Sequence, residues 1–189
     1  MSPDNASIAL RQAEHSDWPA VESLLLVSKL PTEGAREHLP TYLLAESNGE
    51  IVGSAGAEVY GSVALLRSVA IAPGRQKQGL GRLLVERAIQ EARSRGIASL
   101  HLLTVTAPEY FAQYGFKRGK IEDAPATLKA SAEFQGACPA SAAFMSLPLR
   151  DESKVGSELP LAMLGAGPVG QAAAGSLKER GSQPPRCCD

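Results

Sequence analysis

The sequence predicts a mixed α/β protein, one sheet flanked by helices. Three observations carry this. Strand-like and helix-like patterns alternate from residue 7 to residue 149. Asn48-Gly49 separates two apolar runs and signals a hairpin. Leu80, Leu83, Leu84, Ala88 and Ala92 recur at helical spacing directly after the apolar run Val63 to Ile71. A strand that leads into an amphipathic helix and then into another strand is a crossover connection.

The elements follow in order. Ile8 to Arg11 reads as a short strand. Ser16 is placed to cap a helix that carries Val21, Leu24, Leu25 and Val27, and Pro31 ends it. Residues 31 to 40 lie between prolines and read as a loop or short helix. Thr41 to Glu46 and Ile51 to Val59 are strands about the Asn48-Gly49 turn, and Tyr60-Gly61 turns the chain into Val63 to Ile71. The long helix ends at Gly96. Leu100 to Val105 is a strand and Pro108 to Tyr114 a short helix. Gly115-Phe116 opens another strand, and Ala142 to Leu147 is the last.

The chain has 189 residues, 44% hydrophobic and 21% charged, with net charge −1. That composition suits one soluble domain with a real core. The pI of about 6.3 argues against a general nucleic-acid binder, which would be basic. No apolar run has the length of a membrane span. The start, Met1-Ser2-Pro3-Asp4, lacks the basic and apolar regions of a signal peptide, so a cytoplasmic location is expected. Three cysteines, Cys138, Cys187 and Cys188, make no disulfide framework. His15, His38 and His101 share no ligand spacing, so no metal is expected.

Composition shifts near residue 150. Residues 1–150 read as the domain and residues 151–189 as a tail rich in Gly, Ala, Ser and Pro. Inside the tail, Gly165-Ala166-Gly167-Pro168-Val169-Gly170 follows an apolar run, like the first βα unit of a dinucleotide-binding domain. Pro184-Pro185 cannot supply the second strand such a domain needs, so the tail reads as a truncated remnant without dinucleotide binding.

The segment that carries chemistry runs from Leu65 to Arg82. Gln76-Lys77-Gln78-Gly79-Leu80-Gly81 fits Arg/Gln-x-x-Gly-x-Gly/Ala, follows the fourth strand and opens the main helix. Free N–H groups at a helix start, and the helix dipole, favour an anion there. Downstream stands Tyr110-Phe111-Ala112-Gln113-Tyr114-Gly115-Phe116.

Together these motifs resemble the GCN5-related N-acetyltransferase (GNAT) superfamily over residues 7 to 149. The resemblance implies a mostly antiparallel central sheet with splayed fourth and fifth strands. It implies acetyl-CoA as co-substrate: Val69, Ala70 and Ile71 pair with the pantetheine arm. Gln76, Lys77, Gln78, Gly79, Leu80, Gly81 and Arg82 wrap the pyrophosphate, and Phe111 lies beside the cofactor. Tyr60-Gly61, Leu65-Leu66-Arg67-Ser68, Gln113-Tyr114-Gly115-Phe116 and Phe134…Cys138-Pro139-Ala140-Ser141-Ala142 look like the ArsN-type acetyltransferases of arsenic-resistance operons. These are related to N-acetyltransferases of glutamate, arginine and phosphinothricin. The implied acceptor is a small amino acid or a toxic analogue such as arsinothricin, in a detoxification context. Metabolic glutamate or arginine acetylation, and a CoA-binding sensor without turnover, are the rivals. Homodimers are common in the superfamily.

The catalytic candidates are Glu58, Arg67, Ser68 and Thr104. In the superfamily a tyrosine four residues before the Gly-Phe pair often protonates the leaving thiolate. Here that position is Phe111, which has no proton to give, and Tyr110 and Tyr114 point elsewhere on the helix. Glu58 is either the base, through a water chain, or a binding or loop-fixing group. A Tyr60-Gly61 turn pairs it with Val63, roughly 20 Å from Val69 at about 3.3 Å per residue. Arg67 interrupts an apolar strand, so it either pairs internally or offers its fork to a substrate carboxylate. Strand alternation points Ser68 to the face opposite Arg67. Thr104 and Thr106 bind substrate or cap the next helix. Cys138 reads as a small buried side chain rather than a nucleophile.

Overall fold

A computed structural model of the protein describes residues 7–150. The tail, with its glycine motif and Cys187-Cys188, lies outside the described residues. Seven strands form one sheet in the order β1-β2-β3-β4-β5-β7-β6. They are β1 (Ile8–Gln12), β2 (Leu43–Ser47), β3 (Glu50–Tyr60), β4 (Val63–Ile71), β5 (Ser99–Thr104), β6 (Lys117–Gly119) and β7 (Ala143–Pro148). Every neighbouring pair is antiparallel except β4 and β5. The helices are α1 (Trp18–Val27), α2 (Leu80–Ser94) and α3 (Pro108–Ala112).

The two helical layers follow from strand alternation. Tyr42 and Leu44 join Val21, Leu24, Leu25, Leu39 and Ala70 in a core under α1. Leu43 and Ala45 join Leu66, Leu84, Val85 and Ile89 in a larger core under α2. α2 buries Leu80, Leu84, Val85, Ala88, Ile89 and Ala92, one stripe at helical spacing. Its outer face carries the pairs Arg82–Glu86 and Arg87–Glu91 at 2.8 and 2.9 Å.

Several boundaries differ from the sequence reading, each for a local reason. Ser16 is exposed and α1 is capped at Asp17. The Asp17 carboxylate takes both Arg11 Nη groups at 2.7 and 2.8 Å and the Glu14 N–H at 2.8 Å, which fixes the entry turn His15–Asp17. Val27 is 59% exposed rather than in the core. β2 starts at Leu43, because Leu39–Thr41 forms a short 3-10 turn with the single O–H of Thr41 placed between the carbonyls of His38 and Ala57. β5 stops at Thr104, and α3 stops at Ala112 before the left-handed Gly115. Residues 120–142, unassigned by pattern, form three short turns: Ile121–Asp123, Ala126–Ala130 and Glu133–Ala137.

β4 positions the rest. Its pairing with β5 covers only Val63↔Ser99, Ala64↔Leu100 and Leu65↔His101. Beyond these the two strands part, so the edge of β4 that faces β5 is open from Leu66 to Ile71. β4 also carries a bulge: Gly56 faces Arg67 while Ser54 faces Ala70, one extra residue on β4. The bulge centres on Ser68, whose φ is +55°. A left-handed serine is uncommon and costs on the order of 1 kcal/mol or more. The Ser54 hydroxyl, donating to the Ser68 carbonyl at 2.8 Å, holds it there.

Tyr42 packs flat against Gly56, where an added Cβ would overlap the phenol ring. We therefore expect Gly56→Ala to cost about 3 kcal/mol, read from the urea midpoint at unchanged m. A loss below about 0.5 kcal/mol would show that the ring is free to move.

Candidate functional site

The open half of β4 has a different chemistry at each end. At its C-terminal end the chain turns through Pro73–Arg75 into α2. Lys77 and Gly79 both take left-handed backbone, at φ +61° and +81°. Gln76 Nε2 donates to the Ile71 carbonyl and Gln78 Nε2 to the Gly74 carbonyl, each at 3.3 Å, bracing the turn from inside. The first helical bond at this end runs from the Leu83 N–H to the Gly79 carbonyl at 3.1 Å. The N–H groups of Leu80, Gly81 and Arg82 therefore have no acceptor within the helix, and an anion suits them. Gly81 leaves no room for a side chain: a Cβ there would stand 2.8 Å from the Tyr110 hydroxyl oxygen. That hydroxyl is buried and has no hydrogen-bond partner among the described residues.

At the other end of the open segment lies a buried charge cluster around Arg67, whose side chain is 0% exposed. Its Nη1 donates to the Glu58 carboxylate. Its Nη2 donates to the carbonyls of Glu33 at 2.9 Å and Pro31 at 3.3 Å. Its Nε lies 3.3 Å from Glu133 Oε1 but is not aligned for a hydrogen bond. Glu58 is only 1% exposed and also accepts the Tyr60 hydroxyl at 2.6 Å, with His38 Nε2 at 3.9 Å. Burial pushes the Glu58 carboxyl up, but the hydrogen bonds from Tyr60 and Arg67 outweigh it, and the net direction is down. Glu133 is different. Burial dominates, the Arg67 charge offsets only part of it, and the carboxyl rises from its ordinary 4.5 to about 7. Burial first, and then the neighbouring Glu133 carboxylate, push the Cys138 thiol up to about 12, which disfavours the thiolate a nucleophile would need.

The predicted residues separate accordingly. Arg67 is paired internally. Glu58 stands opposite Leu65, not Val63, because the turn is Gly61-Ser62 and Tyr60 faces Val63. That brings it to about 13 Å from Val69 along the strand. Ser68 does not oppose Arg67. The bulge breaks the alternation, and the Ser68 hydroxyl pairs with the Tyr42 hydroxyl at 3.0 Å, within reach of the Arg67 charge. Thr104 Oγ1 accepts the Ala107 N–H at 3.2 Å and so closes the turn into α3. Phe111 is 8% exposed and packs edge-on to Tyr110 and Phe116 in the α2 core. Ala70 points into the core under α1, while Val69 and Ile71 pack toward α2, so the three share backbone rather than side chains with the open edge. Lys77 and Arg82 are exposed.

Sequence reasoning missed Glu133 and Tyr42. Glu133 had one signal, a lone acid beside Phe134 in a mostly apolar stretch. Tyr42 had none, since a tyrosine opening a strand is ordinary. Among the described residues no group of three His, Cys, Asp or Glu side chains is placed to hold a metal ion. Nor is any helix there long and apolar enough to cross a membrane.

The chain matches the acetyltransferase (GNAT) family over residues 8–118. It is 30% identical over 139 residues to an amino-acid acetyltransferase of Mycobacterium tuberculosis, covering 67% of this chain and 77% of that protein. It is 26% identical over 136 residues to an amino-acid acetyltransferase of Neisseria meningitidis, covering 66% of this chain but only 30% of that longer protein. The fold is shared with N-acetylglutamate synthase from Neisseria gonorrhoeae, solved with coenzyme A and N-acetyl-glutamate. There the TM-score is 0.66 at 24% identity, over 78% of this chain and 36% of that one.

Two outcomes test this geometry. Gly81→Ala should destabilise the protein by about 1–2 kcal/mol through the Tyr110 hydroxyl, and be neutral or stabilising in a Tyr110→Phe background, where the clashing atom is gone. Equal costs in both backgrounds would refute the contact. The Glu133 carboxyl binds its proton more tightly folded than unfolded. Its stabilising contribution is thus full below pH 4.5 and is lost as pH rises through about 7. Glu133→Gln should remove a pH-dependent loss of at most about 3 kcal/mol over that window, measured as the difference in unfolding free energy between the two proteins at pH 5 and pH 8.

Proposed function

We propose that this chain, which belongs to the acetyltransferase (GNAT) family, transfers the acetyl group of acetyl-CoA to the amine of a small amino acid or amino-acid analogue. The observation that carries this reading is the open half of β4, with free helix N–H groups at one end and a buried guanidinium at the other. Acetyl-CoA supplies the activated thioester. The N–H groups of Leu80, Gly81 and Arg82 meet its diphosphate, with Lys77 adding positive charge, and the free backbone edge from Val69 to Ile71 takes the pantetheine arm. A developing oxyanion in the gap needs a donor, and the β4 edge left unpaired beside the Ser68 bulge is where a backbone N–H can serve it.

The acceptor presents an amine that must be neutral to attack. Its carboxylate docks on the Nε–H of Arg67, which is still without a hydrogen bond. Glu58 acts here as the fixed counter-ion of Arg67, since its oxygens are already committed. Phe111 has no proton to give, so the thiolate is protonated by water or by the ammonium product of attack.

An amino-acid acceptor, of which glutamate and arginine are the metabolic candidates, is supported by the amino-acid acetyltransferases to which the chain is similar. Toxic analogues of the arsinothricin and phosphinothricin kind, in arsenic resistance, are supported by the Cys138-Pro139-Ala140-Ser141-Ala142 element and its resemblance. Thiol release from acetyl-CoA, measured against glutamate, arginine, phosphinothricin and arsinothricin, separates these. We expect release with at least one of them, and use of its carboxamide counterpart reduced about 100-fold or more, because the Arg67 charge is then left unpaired. Tight CoA binding without release for any amine would instead mark a sensor.

A further inference from the structure

The acceptor reading above leaves one group unexplained. Arg67 is a single cation enclosed by two carboxylates, and the two are held differently. Glu58 sits on β3, receives hydrogen bonds from Arg67 and Tyr60, and is part of the sheet. Glu133 sits on a short turn between β6 and β7 and approaches Arg67 Nε at 3.3 Å without a hydrogen bond to it. Nε is thus the one nitrogen of the guanidinium with no acceptor, buried in a side chain of 0% exposure. A carboxylate seated there must displace Glu133 from the cation.

We propose that Glu133 is a proton-coupled gate on Arg67: an acceptor carboxylate takes the Nε edge only as Glu133 gives up its ionic contact and takes a proton. The proposal rests on the reading of Arg67 as the acceptor's anchor. Three carboxylates around one buried guanidinium would leave two negative charges uncompensated in a site closed to water, so one must be neutral. Glu133 is the one that yields. Glu58 carries two strong donors and is held ionised, whereas Glu133 already lies near neutrality, at about 7. The groups facing Glu133 complete the balance. Arg67 is on β4, Glu58 on β3, and Tyr42 lies just before β2. Cys138 is on the same segment. The phenol and the thiol are neutral throughout, with both pushed up to about 12. The bond formed is Glu133 O–H, the proton comes from solvent, and no electrons change hands.

The sign follows. Below pH 7 Glu133 is already protonated in the free protein and the acceptor binds without competition. Above pH 7 each binding event must also draw a proton from solution. Calorimetric titration of L-glutamate, and of phosphinothricin, into the CoA-loaded protein in two buffers of different ionisation enthalpy reads that proton directly. We expect uptake approaching one proton per site at pH 8 and little at pH 6. We also expect the apparent dissociation constant, and KM where turnover occurs, to rise about fivefold from pH 7 to pH 8. Glu133→Gln should abolish both the uptake and the rise, and Glu58→Gln, which removes one of the three carboxylates, should diminish both. Zero uptake in the unmodified protein at pH 8, a measurement that needs no variant, overturns the gate. So does a pH rise that survives in Glu133→Gln. Proton-linked binding without thiol release would sink the transfer reading and leave the gate standing, whereas transfer with a pH-flat KM would do the reverse.

Discussion

One buried guanidinium sets the arrangement on which this structure depends. An arginine has five N–H donors and no acceptor, and burying it without partners is prohibitively costly. Arg67 finds its partners far apart in sequence. Pro31 and Glu33 lend carbonyls from the loop after α1, Glu58 lends a carboxylate from β3, and Glu133 approaches from the turns before β7. These segments meet because each neutralises or accepts from the same cation. Gly34 shows how close the meeting is: a Cβ there would come within 3.2 Å of Ala132 and 3.4 Å of Arg67 Nη1, and its φ of +73° already favours glycine. Two loops thus close over the bulge of β4 through a polar contact rather than a hydrophobic one.

β4 itself is divided between two demands. Its first three residues complete the sheet with β5, and they rest on Ala64, Leu65 and Leu100, all fully buried. Its later residues forgo that pairing. Backbone groups left open in a protein interior need another partner, and a strand that releases them beside a bulge and a helix N-terminus is poised for a ligand. The left-handed Ser68 belongs to the same logic. Its strain is held by Ser54 and Tyr42, and Tyr42 in turn is held by the absence of a side chain at Gly56. Strain at Ser68 is therefore maintained by packing on the strand beside it.

The fold was legible where physics is local. Val63–Ile71 was placed residue for residue because an apolar run ends there against Ala72-Pro73, and α2 because its stripe repeats over four turns. The turn from Gln76 to Gly81 was legible for the same reason: glycine and helix-start chemistry are written in adjacent residues. The Arg67 site was not. Its counter-ions come from positions 58 and 133, and its carbonyl partners from 31 and 33, where any residue type would serve. The bulge was hidden too. One extra residue on β4 leaves no mark on composition, yet it overturned the face assigned to Ser68 and, with the shifted turn at Gly61-Ser62, the position assigned to Glu58.

The two ends of the open strand therefore have different evolutionary freedom on physical grounds. The anion site is made of backbone, so it tolerates most side chains outside Gly79 and Gly81 and would serve one cofactor across many proteins. The acceptor site proposed around Arg67 is made of side-chain charge brought in by loops. Changing one loop residue there alters which ligand charge is needed to balance Arg67, without disturbing the strand, the helix or the core beneath α2. A scaffold built this way holds its co-substrate constant while its acceptor varies. That is the pattern expected when relatives of common fold differ in the amine they acetylate. It also explains why the glycine turn announces the reaction and only the charges around Arg67 can announce the substrate.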